Sequence, residues 1–347
     1  MTESPEIPAP SERAGAEARR RLDGLVKPLG ALGRLEDLAA WLSAAHGQVP
    51  PRPLDDVRVV VFAGDHGVAA RAAVSAYPRE VTAAMVRVFL AGTSGVNVLA
   101  RQVGARVRVL DVAVDADLDD VPPAVREHRI RRGSGSIDVE DALAPGEAAR
   151  ALAAGKAVAD AELDGGADLL IPGDMGIGNT TVAAAVVAAV LGLPAEDVVG
   201  GGTGVDVAGR ARKVDVVRAA LARAGGRVGD PVELLTALGS ACLGATAGLL
   251  VQAAARGVPV LLDGVFPAAA ALLARELAPG AERWWLAGHR STEPAQAYAL
   301  KALGLDPILD LGLRLGEGSG AVQAVPVLRA ARAVLAEMGA LADLDVP

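Results

Sequence analysis

The order of apolar and polar positions divides the chain into helical stretches and short β-branched runs. From Ser11 to about Leu25 the pattern is helical; Pro28, Gly30 and Gly33 then interrupt it, and a second helix is predicted on to about Ala45. Residues 1–11 read as a disordered tail, and the prolines of Gln48–Pro53 mark a linker. Beyond the linker the rhythm becomes that of an α/β protein. Val57–Ala63 is the kind of apolar, β-branched run found in a central parallel strand. Further strands are predicted at Arg106–Val112, Asp168–Ile171, Val258–Leu262 and about Arg283–Ala287. Helices are predicted between them, at about Arg79–Leu90, Ser94–Val103, Pro145–Leu163 and Val182–Leu191. There is no internal repeat and no heptad pattern.

Polar residues fall at the ends of these strands. Five strands are expected to close on glycine with Asp, His or Ser, as Asp65/His66, Asp111/Asp115, Asp174, Asp263 and His289/Ser291. Open parallel sheets bind ligands at the carboxyl ends of their strands, so these residues are expected to converge on one cleft. The predicted fold class is α/β, a doubly wound, mostly parallel sheet with helices on both faces, plus a smaller helical part from the N- and C-terminal segments. Residues 12–347 form one unit in this reading. About 50–304 make its large α/β part, and about 12–48 with 305–347 its small helical part.

Composition narrows the function classes. Hydrophobic residues make up 52% of the 347 and aromatics only 2%, so the core is built from Ala, Val and Leu. Net charge is −8. With no basic stripe and no interleaved aromatics, a nucleic-acid partner is not expected. Cys242 is the only cysteine, which excludes an intrachain disulfide and a thiolate metal site. The N-terminal residues lack the apolar core of a signal peptide, and Val182–Leu193 is short for a membrane span. A soluble, cytoplasmic protein without a membrane partner is expected.

Two glycine loops are candidate phosphate cradles. Gly176–Gly178 is followed by Asn179, Thr180 and Thr181 at the start of a helix, where free N–H groups and the helix dipole favour an anion. Gly200–Gly204, with Gly201 and Gly202, precedes a helix carrying Lys213, one of four lysines in the chain. Both are expected to follow consecutive strands. Each also fits a tight αβ turn with an ordinary N-cap. Gly316-Glu317-Gly318 sets a carboxylate between glycines, compatible with close approach to a ligand or with a solvated surface residue. His66 and His289 suit hydrogen-bonding or structural roles, since no metal-ligand spacing accompanies them. No Gly-x-Ser-x-Gly elbow is present.

Several segments, in order along nearly the whole chain, resemble the nicotinate-nucleotide–dimethylbenzimidazole phosphoribosyltransferase family. They include Leu25–Glu36 (the KPxGxLGRLE type), Asp65–Val68, Val81-Thr82, Gly92–Leu99 and Gly176–Thr181. Lys213–Val217, Leu261–Gly264 and Arg314–Gly320 continue the match. The resemblance implies transfer of the 5-phosphoribosyl group of nicotinate mononucleotide to 5,6-dimethylbenzimidazole, giving α-ribazole 5′-phosphate and nicotinate for the lower ligand of cobalamin. It implies Glu317 as general base and a second catalytic carboxylate at Asp174, where relatives usually carry Glu. Phosphate and ribose contacts are implied for Gly176, Gly178, Asn179, Thr180, Gly201, Gly202 and Lys213. Base contacts are implied for Tyr77, Pro78, Met85, Leu315 and Ser291, with Asp65, His66 and Asp263 as further cleft candidates. It implies no cofactor, no metal, and a homodimer working on small-molecule substrates. Two other readings stand beside it: a sister transferase using a purine or phenolic base, and a non-catalytic nucleotide-binding protein of the same fold.

Overall fold

A computed structural model describes residues 5–344. Six parallel strands form one sheet in the order β2-β1-β3-β4-β5-β6. They are β1 (Val57–Gly64), β2 (Arg106–Ala113), β3 (Leu169–Met175), β4 (Val260–Leu262), β5 (Trp285–His289) and β6 (Pro307–Leu309). The order reverses direction between β1 and β3, which is the switch point of a doubly wound sheet and the place where a crevice opens at the carboxyl ends.

Alternation along the strands sorts the helices into two layers. Val60, Phe62, Leu110, Leu170 and Leu262 point to one face and share a core with helices including Glu147–Asp164, Asn179–Leu191 and Ala241–Ala255. Val57, Val59, Val61, Ile171 and Leu261 point to the other. There they meet the N-terminal helices Glu12–Asp23 and Arg34–His46, the helices Val81–Leu90 and Gly95–Gln102, and the C-terminal helix Ser319–Glu337. The N- and C-terminal segments thus supply much of one helical layer of the sheet.

Three details depart from the sequence reading. Residues 307–309 pair with β5 as a sixth strand, so the boundary expected near 304 does not end the sheet. Three residues with little β-branched character gave this strand no signal. The expected tail is docked over most of its described length: Trp284 Nε1 donates to the Pro8 carbonyl at 2.9 Å, Ile7 packs on the core, and Ser11 caps the first helix. Residues 1–4 lie outside the described residues. The Gly200–Gly204 loop follows a short helical turn, Ala195–Val198, rather than a strand. As expected from the sequence, the apolar stretch Val81–Gln102 forms two helices separated at 91–94, although by length and composition it could cross a membrane.

Segment Lys27–Glu36 serves the fold. Lys27 Nζ lies 2.9 Å from Glu36 Oε1, which also accepts from Leu32 N–H, while Arg34 donates to the carbonyls of Asp306 and Pro307 at β6.

Candidate active site

The ends of β3, β4 and β5 open into one cleft. Its walls carry Asp174, Gly176, Asn179, Thr180, Phe266 and His289, and further round Gly202, Ser291, Glu293 and the segment Arg314–Gly316. β3 runs straight into the first glycine loop. Gly178, at φ 96°, caps the helix Asn179–Leu191, so the positive end of that helix faces the cleft. Asn179 Nδ2 donates to Asp174 Oδ2, and Ile177 N–H donates to Thr82 Oγ1 at 3.2 Å. Thr82 in turn hydrogen-bonds the Asp65 carboxylate, so the end of β1 braces the loop through Thr82.

The second loop is built around a buried ammonium. Lys213 is fully buried, and its Nζ donates to Thr180 Oγ1 at 3.0 Å and to the Gly200 carbonyl at 3.2 Å. It therefore joins the two glycine loops. Burial pushes its pKa down, and the charge of Glu293 works against that shift. Arg314 Nη1 donates to the Gly202 carbonyl at 2.9 Å, which closes the loop against the segment that carries Glu317.

Glu317 is one residue beyond the cleft wall at Gly316 and is 4% exposed. Its backbone is left-handed at φ 65°, between Gly316 at 81° and Gly318 at 93°. For a residue with a side chain this conformation costs about 1–2 kcal/mol, and such outliers persist only where the surroundings enforce them. Here the enforcing contacts are visible. The Glu317 carbonyl lies so close to Gly173 of β3 that a Cβ there would approach it to 2.3 Å. Asp263 Oδ2 accepts from Gly318 N–H at 3.2 Å, and Asp263 Oδ1 from Ala321 N–H at 2.9 Å. The Glu317 side chain is thereby aimed at the helix Gly95–Gln102, where Oε2 accepts from Val96 N–H at 3.0 Å. Burial raises the Glu317 pKa and the charge of Asp263 adds to this, against the Val96 and Ser94 hydrogen bonds.

Asp174 carries the larger perturbation. Burial, with the negative charges of Asp263 and Glu317, raises it to about 7 against the opposing bond from Asn179. A carboxyl raised in this direction holds its proton in the folded state where the unfolded chain has lost it. Its contribution to stability is therefore greatest below about pH 4 and is lost as pH rises through 7. Asp174→Asn has no such loss. Its stability relative to the parent protein should rise between pH 4 and pH 8, by a few kcal/mol on the order of 1.4 kcal/mol per pKa unit. Denaturant melts at the two pH values check this, and a pH-independent difference would contradict a raised Asp174.

Other predicted site residues separate into two groups. Ser291 and Leu315 line the cleft, as do Gly176, Asn179, Thr180 and Gly202. Gly178 and Gly201 are not among the cleft walls: Gly178 is buried, and Gly201 is exposed, its carbonyl accepting from Gly204 N–H at 3.0 Å. Tyr77, Pro78 and Met85 are absent from its walls. Tyr77 is 57% exposed, and Met85 packs against the core of its own face. Their segment is nonetheless tied to the rim, because Thr203 Oγ1 accepts from Ala76 N–H at 2.9 Å.

The expected convergence of five strand ends is also narrower than predicted. At β2, Asp111 turns inward to Val114 N–H, while Asp115 pairs with Arg79 and Arg132 at the surface. Asp65 is buried behind the loop with Oδ2 accepting from Asp115 N–H. His66, expected in a hydrogen-bonding or structural role, has no protein partner on either ring nitrogen and takes the structural one. It packs edge-on to Phe266 at 5.9 Å, and burial lowers its pKa to about 4, so it is neutral. Asp263 lies beneath the Glu317 loop with His289 Nε2 3.3 Å away. Burial alone would lower the pKa of His289, but the Asp263 hydrogen bond and charge outweigh it and raise it. Among the described residues no cluster of three His, Cys, Asp or Glu side chains suits a metal ion.

Sequence reasoning missed Thr82, Phe266 and Glu293, and gave Arg314 no role. Thr82 and Arg314 sat inside recognised segments. Phe266, in the apolar start of the helix Val265–Leu277, had no signal separating it from core.

The family profile described as phosphoribosyltransferase matches residues 7–346. A nicotinate-nucleotide–dimethylbenzimidazole phosphoribosyltransferase of Mycolicibacterium paratuberculosis is 57% identical over 340 residues, 98% of this chain and 97% of that protein. This chain belongs to that phosphoribosyltransferase family. Its counterpart in Mycobacterium tuberculosis is 55% identical, covering 98% of this chain and 93% of that one. The crystal structure of CobT from Thermus thermophilus is 46% identical and superposes with a TM-score of 0.91 over 96% of this chain and 99% of its own. The doubly wound fold and the pentosyltransferase class read from the sequence are thus those of the family.

Proposed function

We propose that this chain moves the 5-phosphoribosyl group of nicotinate mononucleotide onto 5,6-dimethylbenzimidazole, giving α-ribazole 5′-phosphate and nicotinate for a cobalamin lower ligand. The observation that carries this reading is Glu317, a buried carboxylate of raised pKa held beside the strand-end cleft by a strained backbone. In the reaction a benzimidazole nitrogen forms its bond to C1′ as the bond from C1′ to the pyridinium nitrogen breaks. The electron pair of that bond leaves with nicotinate, whose ring nitrogen becomes neutral and needs no acid. The attacking ring turns cationic, and Glu317 takes the proton from its second nitrogen. Attack from the opposite face inverts β to α. Lys213 and the two glycine loops hold the phosphate, and Asp174 faces the ribose. Holding two flat rings on either side of one ribose supplies much of the remaining acceleration.

Leu315 is 57% exposed at the cleft, packed against Gly95 next to the Glu317 carboxylate. Leu315 offers apolar surface to a methylated ring, and beside the Glu317 carboxylate that wall has few groups to read a purine's exocyclic substituents. In a tube containing equal 5,6-dimethylbenzimidazole and adenine, the first should be consumed first. Plain benzimidazole alone should follow within about 10²-fold, given the small worth of a methyl group. Chromatography of the products checks this, and a dominant adenine nucleotide would favour the sister transferase. Family likeness carries three further proposals: a homodimer, a cytoplasmic location, and only small molecules as partners, with no cofactor, nucleic acid or membrane.

A further inference from the structure

A carboxylate already occupies the mouth of the second glycine loop. Glu293 Oε1 accepts from Gly202 N–H at 2.7 Å. A Cβ on Gly200 would lie 2.5–2.6 Å from both carboxylate oxygens and Cδ, so the group rests directly on bare backbone. Glu293 is 5% exposed, lines the cleft, and sustains the charge of Lys213. Its side chain makes no cap to its own helix Pro294–Leu303, which begins with a proline that has no N–H to satisfy. The loop therefore holds an oxyanion beside an ammonium in the free protein, and that oxyanion is the protein's own.

We propose that Glu293 is a resident counter-ion that the phosphate of the donor displaces from Gly202, and that it sets which phosphates the loop accepts. The inference rests on the phosphate reading of Lys213 and the glycine loops. A phosphate arriving alone must break the 2.7 Å bond and meet a like charge in a poorly hydrated site, a juxtaposition that disfavours binding strongly. A mononucleotide meets the same opposition but brings its ribose and ring contacts with it. Glu293 thereby rejects free inorganic phosphate while tolerating the nucleotide.

The test uses inorganic phosphate as a probe, with its Kd measured by calorimetry and the KM of nicotinate mononucleotide by steady-state kinetics. Glu293→Gln keeps the size of the side chain and an oxygen for Gly202 N–H but removes the charge. Its Kd for inorganic phosphate should fall about tenfold or more, with a smaller fall in donor KM, and the effect should appear in KM rather than kcat. Glu293→Ala, which removes the acceptor too, should show the same direction and serves if the first variant does not fold. An unchanged or weaker phosphate affinity in both would overturn the proposal. Lys213→Met separates the two readings. If it weakens phosphate binding while the Glu293 variants do not strengthen it, the cradle stands and the counter-ion role fails. If Lys213→Met leaves phosphate binding unchanged, the cradle reading fails and takes the counter-ion role with it.

Discussion

Glu317→Gln is expected to lower turnover by at least about 10²-fold, the usual scale for losing a general base, while the fold stays intact. The substitution keeps the shape of the side chain and an oxygen to accept from Val96 N–H. It removes a buried charge that its surroundings disfavour, so stability should be equal or higher. The left-handed backbone at residue 317 is held by Gly173 and by Asp263 through Gly318, and none of these contacts involves the lost charge. Donor KM should change little, because the phosphate contacts lie on other loops. Circular dichroism and melting establish the fold, and steady-state kinetics give kcat. Near-normal kcat would remove Glu317 from the mechanism.

The second large effect is expected at Lys213. Met in its place preserves the buried stem and deletes only the ammonium, so packing loss is kept small. A charge-assisted contact to phosphate is worth about 1.5–3 kcal/mol, which corresponds to a rise in donor KM of roughly 10- to 100-fold. Two further consequences push in the same direction: Thr180 and the Gly200 carbonyl lose their donor, and Glu293 loses its compensating charge. Acceptor KM should move by less than about threefold. Because Lys213 is buried, added salt should reproduce the effect only weakly. Equal changes in both Michaelis constants would place Lys213 outside the phosphate site.

Much of this was legible in the chain. The run at Val57 marked a central strand because a strand covered on both faces is apolar throughout, and Gly-plus-Asp endings located the cleft because parallel strands deliver their carboxyl ends together. The start of β6 did not announce itself: Pro307-Ile308-Leu309 is too short for a period, and its place at the sheet edge is fixed by Arg34 reaching across from the N-terminal layer. The glycine loops were readable as candidate cradles, but their joint use depends on Lys213 bridging them, a contact 33 residues apart for Thr180. Glu293, just before a helix-opening proline, carries no local sign of a role. Only the approach of Gly200, a tertiary fact, gives its carboxylate a place. Asp65 and His66 illustrate the reverse error. Strand-end position suggested a ligand-facing role, whereas Asp65 turns back to its neighbour's backbone and His66 fills space against Phe266.

The central claim is that Glu317 accepts the acceptor's proton during a single inverting displacement. The most direct measurement is a single-turnover experiment with the enzyme in excess over nicotinate mononucleotide, saturating 5,6-dimethylbenzimidazole, and parent and Glu317→Gln proteins side by side. Base catalysis by Glu317 predicts that the parent releases one nicotinate for each α-configured nucleotide formed. The variant should hold the donor bound and unconverted over the same interval. A variant that converts bound donor at the parent's rate, or a parent that yields the β-configured product, would contradict it.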